Sequence, residues 1–77
     1  MQELLVSIAS GLVKNPEEVS VVADEPNAEG VTVYHLSVAE EDMGRVIGKQ
    51  GRIAKAIRTV MRSAANRNGQ KISVEID

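Results

Sequence analysis

A chain of 77 residues allows one small domain and excludes a multi-domain enzyme with an enclosed cofactor cavity. Its 43% hydrophobic and 26% charged residues are ordinary for a folded globular chain. It has no Cys, which excludes disulfides, a thiolate nucleophile and Cys-based metal sites.

The formal net charge of −2 conceals a segregation. Residues 1–42 carry nine acids (Glu3, Glu17, Glu18, Asp24, Glu25, Glu29, Glu40, Glu41 and Asp42) and the single base Lys14. Residues 43–71 carry eight bases and no acid: Arg45, Lys49, Arg52, Lys55, Arg58, Arg62, Arg67 and Lys71. An uninterrupted basic segment within an acidic chain is either a solvated helix face or a localised anion-binding face.

In chain order, residues 2–14 place Leu4, Leu5, Ile8 and Leu12 on one helical stripe. Asn15-Pro16 stops that helix, because proline disfavours helical geometry in the residue before it. Glu17-Glu18 form a turn. Val19 to Ala23 is short and β-branched, a first strand. Asp24 to Gly30, with Pro26, Asn27 and Gly30, is a hairpin loop. Val31 to Val38 is a second strand with Leu36 and Val38 inward, which leaves Val31 and Val33 for the other face.

Glu40-Glu41-Asp42 sit where a helix starts and complement the positive end of its dipole. Met43 to Ile47 is then a short helix, broken by Gly48-Lys49-Gln50-Gly51. Arg52 to Arg67 is the strongest helix, with Ile53, Ile57, Val60, Met61 and Ala64 as its apolar stripe. Arg52, Lys55, Arg58 and Arg62 lie on the opposite side. Asn68-Gly69 ends it. Lys71 to Asp77 alternates, with Ile72, Val74 and Ile76 on one face, and is a third strand. Met61, Ala64 and Ala65 suit either the core or a second copy.

Two glycines three apart between helices have a physical use. Gly48 can end a helix, and Gly51 lets another backbone approach where a Cβ would obstruct it. The N–H groups at the start of the following helix can then face an anion. The run Gly44-Arg45-Val46-Ile47-Gly48-Lys49 is no phosphate loop: three residues rather than four separate the glycines, and Gln50 stands where Ser or Thr is needed. His35, the one histidine, has no evident nucleophile beside it and reads as an ordinary strand histidine. The acids 40–42 read as a helix start rather than a metal site.

The segment Val46-Ile47-Gly48-Lys49-Gln50-Gly51-Arg52-Ile53 resembles the signature of KH domains, whose GXXG loop clamps about four nucleotides of single-stranded nucleic acid. The element order resembles the bacterial type II arrangement, α-β-β-α-α-β, an α+β fold with a three-stranded sheet and helices on one face. The resemblance covers residues 1–77, and the chain looks like the small free-standing KH proteins of the KhpA family. It implies that Gly48, Lys49, Gln50 and Gly51 hold the RNA backbone. Ile47 and Ile53 would line an apolar groove whose other side a neighbouring strand closes, with Arg45, Arg52 and Lys55 as flanking cations. It further implies an RNA chaperone or post-transcriptional regulator linked to cell-wall synthesis and cell-length control. The partners so implied are single-stranded RNA and a second copy or a larger KhpB-type KH protein. No catalytic residue, metal or cofactor is expected. Nor is a signal peptide or a membrane span, so the expected location is the cytoplasm. Two other readings are a protein-pairing adaptor with incidental RNA binding and a helix–turn–helix reader of duplex DNA. The adaptor predicts a complex indifferent to the glycine segment, and the helix–turn–helix a preference for duplex DNA.

Overall fold

A computed structural model describes residues 1–76, with all side chains except those of Lys49 and Gln50. The elements are helix α1 (Gln2–Ser10), a single 3₁₀ turn (Pro16–Glu18), strands β1 (Ser20–Ala23) and β2 (Val31–Ser37), helix α2 (Glu40–Arg67) and strand β3 (Lys71–Ile76). The sheet order is β1-β2-β3, with β1 antiparallel and β3 parallel to β2. This is the expected α+β architecture.

The register puts Val21 beside Leu36, Tyr34 beside Val74, and Leu36 beside Ile76. Their side chains therefore share one face of the sheet. Leu5 and Ala9 from α1 and Ile57 and Met61 from α2 complete the core against them. Both helices cover that face. The other face carries Val22, Val33 and His35. There His35 Nε2 lies 2.8 Å from Asp24 Oδ2, so the histidine has a carboxylate neighbour on an open strand surface.

Two expectations about α1 are corrected. The helix ends at Ser10 rather than near Lys14, and its buried residues are Leu5 and Ala9. Gly11 follows, a poor helix former, and the backbone N–H groups of Lys14 and Asn15 donate to Asp42 instead of continuing the helix. Leu12 thereby leaves the helical face, and both Leu4 and Leu12 are exposed.

The expected pair of helices, 43–47 and 52–67, is a single helical run of 28 residues. Straight, it would be about 42 Å long, yet the longest dimension of the molecule is 34 Å. The run is therefore bent. Gly51 has φ +67, a left-handed value that a right-handed helix cannot pass through without changing direction. The expected loop over 48–51 is thus compressed into one left-handed glycine. The second half buries Ala54, Ile57, Met61 and Ala65. Met61 and Ala65 are buried within the chain, while Val60, expected inward, is exposed.

Local chemistry closes the remaining turns. In the β1–β2 loop, Asn27 Oδ1 accepts from the N–H groups of Glu29 and Val31, an Asx-type turn. At the end of α2, Asn68 Nδ2 donates to the carbonyl of Ala64 and Gly69 turns the chain at φ +66. Each free sheet edge receives one side chain. Gln2 Nε2 donates to the Val21 carbonyl at 2.8 Å, and Arg58 Nε to the Val74 carbonyl at 3.3 Å.

Met61 is fully buried between α2 and the sheet. Truncation to Ala is expected to cost about 2–5 kcal/mol, read as a lower midpoint in urea unfolding with the slope unchanged. The exposed Val60→Ala change is expected to stay within about 1 kcal/mol in the same assay.

Candidate nucleic-acid interface

The first half of α2 and the start of its second half meet at the Gly51 bend and enclose an open groove of about 530 Å³. It is lined by Gly44, Arg45, Gly48, Arg52 and Ile53. Helical geometry explains the set. Gly44 and Gly48 are four apart and share a face, with Arg45 beside them, and the bend brings Arg52 and Ile53 round to the same space. A Cβ built on Gly44 or Gly48 meets no other atom within 4 Å, so packing among the described residues does not require them bare. A glycine inside a helix nonetheless costs about 1 kcal/mol relative to Ala. The result is a strip of uncovered backbone flanked by two guanidinium groups, with Ile53 as an apolar wall.

Most of the expected site residues are here. Arg45, Gly48, Arg52 and Ile53 line the groove, and Ile53 also packs against the core. Gly51 supplies the bend. Ile47 is exposed but does not line the groove, and Lys55 lies exposed further along α2. The side chains of Lys49 and Gln50 lie outside the described residues. Among the described residues, all five that line the groove come from α2. Gly44 was missed, although its four-residue spacing from Gly48 marks a common helix face.

The electrostatics follow from the charge segregation. Arg52, Lys55 and Arg62 are exposed, and none forms an ion pair among the described residues, where His35–Asp24 is the one within 4 Å. Their charge is available to an anion. Arg58 is partly committed, through its bond to the β3 edge.

The acids before the groove do not form a uniform helix start. Asp42 is only 1% exposed. Its Oδ1 accepts from the Lys14 N–H at 3.1 Å, and its Oδ2 accepts from the Asn15 N–H and side-chain amide, each at 3.1 Å. The Asn15 amide also donates to Glu41. Burial opposes the charged form of Asp42, but these donors and the nearby Arg45 outweigh it, and the carboxyl titrates below the ordinary aspartate value. Nothing in three consecutive acids distinguished this one in advance.

A three-stranded mixed sheet backed by a glycine-bent helix with cations along one side is the build of a small binding module for extended anionic polymers. The chain belongs to the KhpA/KhpB KH-domain family, whose model matches residues 2–76. It is 51% identical over 76 residues to the RNA-binding protein KhpA of Listeria monocytogenes, covering 99% of this chain and 97% of that one. The KhpA of Clostridium acetobutylicum is 53% identical, with 99% of each chain covered. That of Chlamydia pneumoniae is 46% identical, with 99% and 95% covered. No solved structure matches. The family is a non-catalytic one, and the domain that its model describes over residues 2–76 is a KH domain rather than a helix–turn–helix. No described helix is long and apolar enough to cross a membrane.

Because the native carboxyl of Asp42 titrates below its unfolded value, its contribution to stability is complete above about pH 4. It is lost as pH falls through the lowered native value. Asp42→Asn is therefore expected to lower the unfolding midpoint at neutral pH, and its deficit relative to wild type to shrink below about pH 4. A deficit constant down to pH 2 in thermal unfolding would show that the charge of Asp42 contributes nothing.

Proposed function

We propose that the chain binds single-stranded RNA, with the sugar–phosphate backbone seated at the Gly48–Gly51 bend and the bases against Ile53 in the groove and the exposed Ile47 outside it. The observation that carries this reading is the bare Gly44–Gly48 backbone set between Arg45 and Arg52 at the bend. Guanidinium groups pair with phosphate in a bidentate way, and uncovered backbone lets a second backbone come close. Lys49 and Gln50 join the clamp, with Lys55 as a flanking cation. Two further facts favour RNA: the relatives carry the name RNA-binding protein, and the KH fold takes unstacked bases in an aliphatic groove. Tyr34, the sole aromatic residue, is buried in the core, so stacking contributes little and a lone domain binds no tighter than micromolar.

The broader role we infer is that of a cytoplasmic RNA chaperone or post-transcriptional regulator, connected with cell-wall synthesis and cell length. It would act as a homodimer or with a larger KhpB-type KH protein. The support for this is the family resemblance, together with the need of a weak single site for a second one nearby to raise effective affinity.

The test is fluorescence anisotropy with a short mixed-sequence single-stranded RNA. If three cations contact phosphates, the logarithmic salt slope is about −2, and raising salt from ~50 to ~200 mM weakens binding roughly twentyfold. The Lys49→Asp, Gln50→Asp variant is expected to lose binding while staying folded. Arg45→Ala with Arg52→Ala is expected to flatten the slope by about 1.4. Unchanged affinity in both folded variants would sink the reading. Stable pairing with a KH partner that ignores these changes would favour the adaptor.

A further inference from the structure

We propose that Asp42 is a positioning residue for RNA binding, fixing the groove by tying the first half of α2 to the Lys14–Asn15 connection. This rests on the RNA reading above. Of the groove residues, Gly44, Arg45 and Gly48 belong to the first half of α2. That half stands apart from the main core. Its buried members Asp42 and Val46, and Ala39 just before it, lie outside the cluster formed by Leu5, Leu36, Ile57, Met61 and their neighbours.

The second half is fixed on the sheet by Ile57 and Met61, and the two halves join through a glycine. The opening of the groove therefore depends on what holds the first half. Val46 supplies apolar contact without direction. Asp42 supplies direction, since both carboxylate oxygens are taken, by two successive backbone N–H groups and one side-chain amide. Three donors converging on one buried carboxylate admit little rotation. Gly44 and Arg45 follow two and three residues later.

Charge and position predict opposite results, which makes the proposal testable. Asp42→Asn removes a negative charge close to the groove, so electrostatics alone predicts tighter RNA binding. It also places an amide donor among three donors. If Asp42 sets the groove, binding weakens despite the added positive charge. The expected loss is roughly fivefold to tenfold in anisotropy titrations with oligouridylate. Asn15→Ala, which leaves the net charge unchanged, is expected to give a smaller loss in the same direction.

Hydrogen exchange on the RNA-free protein supplies the second readout. In Asp42→Asn, the amides of residues 44–48 are expected to exchange faster while those of Tyr34 and Leu36 keep their protection. Equal or tighter RNA binding by folded Asp42→Asn overturns the proposal, as does unaltered exchange at 44–48. If Asp42→Asn does not fold, Asn15→Ala carries both measurements, and unchanged affinity there overturns it. Failure of the wild type to bind RNA overturns the RNA reading instead, and the exchange pattern then decides whether Asp42 sets the groove.

Discussion

The structure turns on a mismatch of length. The longest strand, β2, has seven residues and spans about 23 Å, while α2 has 28. A sheet this small can seat little more than half of such a helix. The seated half is the one after Gly51, where Ala54, Ile57, Met61 and Ala65 repeat at helical spacing and sink into the core. The rest overhangs and must fold back, and one left-handed glycine accomplishes this. The groove, the uncovered backbone and the paired guanidinium groups all follow from that turn.

Once the helix has turned, its overhanging half needs its own support, and the polar anchor at Asp42 joins the apolar burial of Val46 in providing it. An apolar contact tolerates sliding; a carboxylate accepting from two consecutive backbone amides does not. The connection after α1 is drawn into the same arrangement, which is why the first helix stops early. Two departures from simple periodicity, the short α1 and the buried acid, thus share one cause.

Much of this was legible in the sequence. Alternation in Ile72, Val74 and Ile76 and the β-branched run before Asp24 marked the strands, because burial on one face imposes a period of two. Asn68-Gly69 marked a helix end through the conformational freedom of glycine. The charge segregation and the glycine pair located the groove. What escaped were properties of three-dimensional packing. Asp42 is one of three adjacent acids, and only the approach of Lys14 and Asn15, 27 to 28 residues away, singles it out. The breadth of the 48–51 interruption was misjudged because a glycine pair suits a loop and a one-residue bend equally well. Leu12 was misplaced because local periodicity carries no information about where a distant carboxylate claims the backbone.

The parallel pairing of β2 with β3 has a consequence for chain completeness. Parallel neighbours need a crossover, so β2 waits for the whole of α2 before its second partner is made. A chain lacking residues 71–76 would leave one edge of β2 open along Val31–Leu36, with Val74 missing from the core cluster of Leu36 and Met61. Such a fragment offers an unguarded template for strand addition by another chain. The domain is therefore an all-or-none unit, and a truncated product is expected to aggregate rather than persist as a smaller folded piece.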